Sequence, residues 1–281
     1  MSSLQDIKKL KKTSLEIRKD IVRSLAEAGS GHLGGSLGLA DIFTCLYFDI
    51  LNHDSNNPNW GNRDRLILSI GHVAPVYYAA LAHAGYFDKS ELMSLRKLGS
   101  RLQGHPGKEY GLPGVELSSG SLGQGLSVGV GLAMAAKLDR KDWNVYTIHG
   151  DGELQEGSIW EAAMSAAHYN LDNLIALVDR NNVQIDGKTS DVMEIEPLKD
   201  KFESFGWKVF ACDGHNHKEI IETYKRAQDF KGAPSVIIAQ TAMGKGIKTI
   251  ENDYSWHGKV PLPEQESDFI NQLENDYNQN V

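Results

Sequence analysis

Two glycines flank a carboxylate at Gly150, Asp151 and Gly152, and thirty positions after that aspartate comes the amide pair Asn181 and Asn182. Glycine lets a backbone approach a ligand closely. A carboxylate inside such a loop would repel a diphosphate laid directly against it, and a hard cation between the two removes the conflict. Magnesium takes six oxygen ligands and typically combines one or two carboxylates with phosphate oxygens and water. Asp151, the amide oxygen of Asn181 and one loop carbonyl, which Val183 is placed to supply, would leave positions for two diphosphate oxygens and a water. The chemistry predicted here is a diphosphate held through Mg2+, with Ca2+ or Mn2+ able to take its place.

The elements needed to position these groups are legible around them. An apolar run, 145–148, leads into His149 and the Gly-Asp-Gly turn. A helical stretch follows, then a second apolar run, 174–178, that ends just before Asn181. The two candidate ligands are therefore separated by about one βαβ unit. If the two strands are neighbours, both side chains meet in one crevice off the carboxyl ends of the strands. Further β-type runs lie at 65–70, 207–211 and 235–239, and helical segments at 75–84, 126–138, 159–169 and 218–230. Strands alternating with helices predict an α/β fold, a mostly parallel sheet with helices on both faces. The runs are continuously apolar, the pattern of strands buried on both sides. Upstream, apolar residues recur at helical spacing from Ser3 to Leu25. The glycine-rich stretch 29–38 is expected to break that helix, and a second helix is expected over 39–49. The polar, acidic tail from Pro261 is expected to form a short helix or to be disordered, without chemistry.

Bulk properties narrow the function. With 281 residues the chain can bury a sizeable core, and 41% hydrophobic and 23% charged residues are ordinary for a globular protein. A net charge of −8 argues against nucleic acid as the main partner. The two cysteines, Cys45 and Cys212, form no CxxC pair. The basic, helical N-terminus lacks the apolar stretch of a signal peptide, and no run reaches the roughly 20 apolar residues of a membrane span. The expectation is a cytoplasmic protein without a membrane partner.

A bare Gly-Asp-Gly is often only a tight turn. Here the whole segment GDGELQEGSIWEAAMSAAHYNLDNLIALVDRNN resembles the thiamine diphosphate signature, which opens on GDG and closes on NN. Other segments follow in family order: SGHLGGSLGLADI, NRDRLILSIGHVAPVYYAAL, GHPGKEYGLPGVELSSGSLGQGLSVGVGLAMAAKL and WHGKVP. Along nearly its whole length the chain resembles the N-terminal, diphosphate-binding half of transketolase. That resemblance implies one thiamine diphosphate-binding domain over 1–281, with a terminal tail from about 261. The implied activity is transfer of a two-carbon ketol unit from a ketose phosphate to an aldose phosphate.

The resemblance also assigns residues. His32 matches a histidine that contacts the donor ketose, His72 one beside the cofactor diphosphate, His105 one at the terminal hydroxyl of the substrate, and His257 one shared by cofactor and substrate. Imidazoles suit this work because they exchange protons near neutral pH and can donate to an oxygen that becomes an alkoxide. Gly120, Ser121 and Leu122 match the segment against the cofactor rings, Gly150 and Gly152 the diphosphate loop, and Glu156 an acidic residue near a subunit interface. His53, His83, His149, His168, His215 and His217 are read as structural. The chain departs from many family members at Leu33, where proline is common, and at Ser121, where GPLGQG is common. Both departures bear on sugar specificity.

In the family a glutamate on a different domain activates the cofactor, and arginines hold the sugar phosphate. Neither is matched in this sequence. The expectation is a split enzyme: a second polypeptide supplies the pyrimidine-binding and C-terminal domains, in a complex of two copies of each chain. GDG and NN alone would also allow the α subunit of a 2-oxo acid dehydrogenase, a deoxyxylulose phosphate synthase, or a non-catalytic cofactor-binding fragment. The histidine set and the NRDR…SIGH block favour transketolase. A nicotinamide dehydrogenase is disfavoured because Gly150 and Gly152 lack the third glycine at the required spacing.

Overall fold

The computed structural model describes residues 4–280. Ser3, the predicted start of the first helix, and Val281, the last residue of the tail, lie outside the described residues. Helix α1 (Leu4–Ala28) buries Leu10, Leu15, Ile17, Ile21, Val22 and Leu25 on one face. The glycine-rich segment does not simply break the helical run. After a turn at Gly29 and Gly31, both with positive φ, it forms α2 (Leu33–Gly38), and α3 (Ala40–Cys45) continues through a wider helical turn over Leu46–Ile50. Glycine weakens an isolated helix, but every residue of α2 is buried. Close packing explains the composition: a Cβ on Gly34 would meet the Met243 side chain at 2.7 Å, and one on Gly35 would meet Val73 at 2.9 Å.

The predicted strands appear as β1 (Arg65–Leu68), β2 (Val145–Gly150), β3 (Leu174–Arg180), β6 (Lys208–Asp213) and β7 (Ser235–Gln240). Between β1 and β2 lie α4 (Ala74–His83) and α5 (Gly125–Leu138); α6 (Gly157–His168) joins β2 to β3. All five strands are parallel, in the order β1-β2-β3-β7-β6. A short hairpin, β4 (Val183–Gln184) with β5 (Gly187–Lys188), stands outside the sheet. It is followed by α7 (Thr189–Val192) and α8 (Leu198–Ser204), while α9 (His217–Asp229) crosses between β6 and β7.

Two apolar cores flank the sheet. One joins α1 to α4, α9 and one sheet face through Ile17, Phe43, Tyr77, Tyr146 and Ile237. The other packs α5, α6 and α8 on the opposite face through Ala133, Ala163, Phe202 and Val236. Strands β2, β3 and β7 are buried almost throughout, as their unbroken apolar runs predict. β6 is the correction: it is an edge strand with Lys208, Ala211 and Asp213 exposed, so half-coverage replaces burial on both faces.

The tail forms α10 (Glu266–Asn280), and Phe269 and Leu273 are buried in the α1 core. Among the described residues, no helix is long and apolar enough to cross a membrane.

Candidate functional site

Strands β2 and β3 are direct neighbours, with Gly150 opposite Asp179. This places the Gly-Asp-Gly turn and the asparagine pair side by side at the carboxyl edge of the sheet, as the βαβ spacing requires. A cavity of about 380 Å³ opens there, lined by Asp151, Asn181 and Val183 together with Gly150, Gly152 and Glu156. His32, His72, His105, His257, Gly120 and Leu122 line the same cavity. Ser121, exposed between Gly120 and Leu122, is not among the residues that line it. Glu156 is exposed at the rim.

The four imidazoles form one cluster. The ring of His32 lies 5.1 Å from that of His72, 6.2 Å from His105 and 5.7 Å from His257, centroid to centroid. They come from separate segments: the loop before α2, the turn after β1, the 104–107 loop and the turn before Gly258. Burial lowers the pKa of His32 to about 4 and of His72 to about 3, and charge on neighbouring histidines adds to both shifts. Burial also lowers His257, while for His105 the Arg96 guanidinium adds to burial. All four rings are therefore neutral near pH 7, each carrying one N–H donor and one acceptor nitrogen. Among the described residues the buried Nδ1 of His32 has no hydrogen-bond partner.

The acidic end is ordered by its own donors. Asp151 is almost fully buried, and its Oδ2 accepts from Arg180 Nη1 at 2.9 Å and from the Asn182 backbone N–H at 2.7 Å. Oδ1 accepts from the Gly152 N–H at 2.7 Å. Burial raises the Asp151 pKa, opposed by Arg180 and these N–H groups. Asn181 donates from Nδ2 to Asp179 at 2.8 Å, and its Oδ1 accepts from the Val183 N–H at 3.0 Å. That polarity fixes which end of the amide presents oxygen. Asp179 also accepts from Thr241 Oγ1, and burial pushes its pKa up to about 7.

The oxygen donors of Asp151 and Asn181 would suit a hard cation. Asp151 brings a carboxylate and Asn181 an amide oxygen, hard donors of the kind magnesium prefers, and Val183 lines the same cavity. Among the described residues no group of three or more His, Cys, Asp or Glu could hold a metal by itself. A cation here must therefore take the rest of its ligands from elsewhere, which a diphosphate and water would provide. Side chains would be tight at two of the cavity glycines: a Cβ on Gly152 would stand 3.3 Å from Gln184, and one on Gly120 would stand 3.3 Å from the His105 ring.

Sequence reasoning overlooked Glu153, Asp179, Arg180 and Met243, all of them in or beside the cavity. Glu153 is buried and ties three loops together. Its Oε1 accepts from Ser69 Oγ at 2.5 Å and the Gly123 N–H at 2.8 Å, and its Oε2 pairs with His149 Nδ1 at 3.0 Å. An acidic residue directly after the Gly-Asp-Gly turn, ahead of a helix, was the available signal. His149 is a satisfied core histidine, its Nε2 lying 2.8 Å from Thr147 Oγ1.

The chain belongs to the family described as transketolase, thiamine diphosphate binding domain, whose model matches residues 10–278. It is 41% identical to one of the subunits of the apulose-4-phosphate transketolase of Phocaeicola vulgatus, an alignment covering 91% of this chain and 90% of that one. It is 42% identical to the SqwG subunit of the 6-deoxy-6-sulfo-D-fructose transketolase of Clostridium sp. strain MSTE9, covering 92% of this chain and 94% of the relative. Among solved structures, transketolase of Pichia stipitis in complex with sedoheptulose 7-phosphate superposes with a TM-score of 0.90 at 33% identity. That match covers 96% of this chain and 41% of the yeast one, so this chain spans about two fifths of the solved enzyme.

Proposed function

We propose that this chain is the diphosphate-binding, N-terminal subunit of a split transketolase, acting as one domain that binds thiamine diphosphate through Mg2+. The observation that carries the reading is the single cavity in which Asp151, Asn181 and Val183 meet His32, His72, His105 and His257. Asp151, the Asn181 amide and the Val183 carbonyl would hold the metal, and Gly150 and Gly152 would admit the diphosphate beside it. When bound, thiamine diphosphate supplies the thiazolium carbon through which a two-carbon unit passes from a ketose to an aldose. Gly120 and Leu122 would support its rings. Ser121 lies between them and would add its backbone to that support, and Glu156, exposed at the rim of the cavity, would be within reach of a neighbouring protomer.

The remaining work falls to neutral imidazoles. His72 can donate an N–H to a diphosphate oxygen. His32, His105 and His257 can orient sugar hydroxyls, and a neutral ring can donate to an oxygen as charge develops on it and return the proton afterwards. Two relatives of nearly the same length are named as transketolase subunits, which supports a separate partner chain carrying the activating glutamate and the phosphate-binding arginines. We read the complex as a cytoplasmic α2β2 assembly using sugar phosphates, pentose phosphates first, with branched and sulfonated sugars as further candidates because of the relatives' names.

The test is to co-purify the chain with its partner and assay ketol transfer across a panel of ketose donors and aldose acceptors, alongside decarboxylation of pyruvate. Ketol transfer by the complex, with none from either chain alone, is expected. Pyruvate decarboxylation without ketol transfer would assign the site to the 2-oxo acid dehydrogenase class instead. Turnover by this chain alone would remove the need for a partner.

A further inference from the structure

Asp151 does not present its two oxygens alike. Oδ2 is occupied by the Arg180 guanidinium and the Asn182 N–H, whereas among the described residues Oδ1 accepts one donor, the Gly152 N–H. A carboxylate oxygen has two lone-pair sites, so Oδ1 keeps one for a cation and Oδ2 does not. Arg180 is itself nearly buried, and its Nε donates to Glu196 Oε1 at 2.9 Å. Glu196 is about half exposed, at 46% of its side chain. A fixed positive charge thus sits on the far oxygen of the one carboxylate in the candidate metal set, backed by a partly solvated acid.

We propose that Arg180 is a tuning residue of the metal centre: it occupies Oδ2 of Asp151, which leaves Oδ1 for the ion, and its charge, moderated by Glu196, weakens the ion's hold. This inference rests on the reading that Asp151 binds a cation. A unit charge beside a ligand repels a divalent ion, and the remaining Asp151 charge without Arg180 is a buried carboxylate in need of a cation.

The test is Mn2+ binding by electron paramagnetic resonance in the presence of thiamine diphosphate, on the full chain alone and in the complex it co-purifies with. R180M is expected to bind Mn2+ about five-fold or more tightly than the unaltered chain, the scale of one screened unit charge a few ångströms away. R180M should also melt lower without metal and show a larger metal-induced rise in Tm. E196Q leaves the Arg180 charge unmoderated and is expected to weaken Mn2+ binding about two- to five-fold. R180K, which keeps the charge, should stay near the unaltered value. A merely structural role for this triad predicts that R180M and E196Q both weaken binding, and that result overturns the inference. Should R180M fail to fold, unchanged or tighter Mn2+ binding by E196Q overturns it as well. Absence of Mn2+ binding by the unaltered protein in both forms would instead remove the metal site itself.

Discussion

The rings of His72 and His257 stand 5.0 Å apart, centroid to centroid, tilted by 38°. At that distance two imidazolium ions repel strongly, and His32 lies 5.1 Å and 5.7 Å from the same two rings. Protonating one ring therefore discourages protonating the next, beyond the penalty that burial already imposes.

A pH dependence follows from this cluster. In the unfolded chain each histidine titrates near its ordinary value of 6.5, whereas folded His32 and His72 titrate at about 4 and about 3. Between those values the unfolded chain binds more protons, so stability rises with pH across this window and is lost as pH falls through it. The contribution is fully present above about 6.5. Urea midpoints measured from pH 7.5 down to 4 should fall, and less steeply in H72N. In H257N, which removes a neighbouring charge, the His72 pKa should move upward in an NMR titration. A His72 that titrates near 6.5 in the unaltered protein would show that the cluster is open to water.

Asp151 and Asn181 should separate in a second experiment. Asp151 contributes the only full charge among the three proposed ligands, and Asn181 contributes an oxygen whose direction Asp179 fixes through the 2.8 Å bond to Nδ2. D151N should therefore lower affinity for Mg2+ and thiamine diphosphate by more than the roughly 10–100-fold that loss of an outer-shell partner brings. D179N, which disturbs the orientation of the amide and the Thr241 bond but removes none of the three proposed ligands, should fall within that range. Isothermal titration with cofactor and Mg2+ measures both, and D179N binding worse than D151N would mean that Asp179, not Asp151, faces the ion.

The Asp151 and Asn181 edge of this cavity could be read from residue order, for physical reasons, whereas the four histidines and the 120–122 segment were picked out only by the family resemblance. A parallel strand buried on both faces leaves an unbroken apolar run, so 145–148 and 174–178 marked β2 and β3, and the connecting length made them neighbours. Polar residues break off such runs where the strands end, which singled out Asp151 and Asn181, and the pairing of β2 with β3 brings both to one cavity. Arg180 and Asp179 were not legible because they belong to the strand itself: a charge at the end of an apolar run reads as the point where the strand reaches solvent. Here both are buried, and their roles come from partners distant in sequence, Asp151, Glu196 and Thr241. Helix α2 was hidden by composition, since propensity argues against LGGSLG while tertiary burial favours it. Edge strand β6 read as an interior one because position in the sheet leaves little mark on a short sequence.

The tail, expected from the sequence to carry no chemistry, packs beside a candidate site residue. Phe269 of α10 is buried, and its ring lies 5.5 Å from that of Trp256, edge to face. Trp256 precedes His257, whose N–H bonds to the Tyr254 carbonyl at 2.9 Å in the turn that aims its ring into the cavity. Aromatic pairs of this kind contribute about 0.5–1.5 kcal/mol beyond the area they bury. F269A should therefore destabilise the chain by about 3–5 kcal/mol, the range for emptying a buried phenylalanine site. Its effect should extend past stability: with the Trp256 ring unsupported, the His257 turn loosens, and ketol transfer by the complex should lose kcat while cofactor affinity, set at Asp151, stays close to normal. F269L, which refills most of the volume, should restore both stability and kcat. Full activity in F269A under conditions where it remains folded would place α10 outside the active assembly and leave its packing on α1 as a purely structural feature.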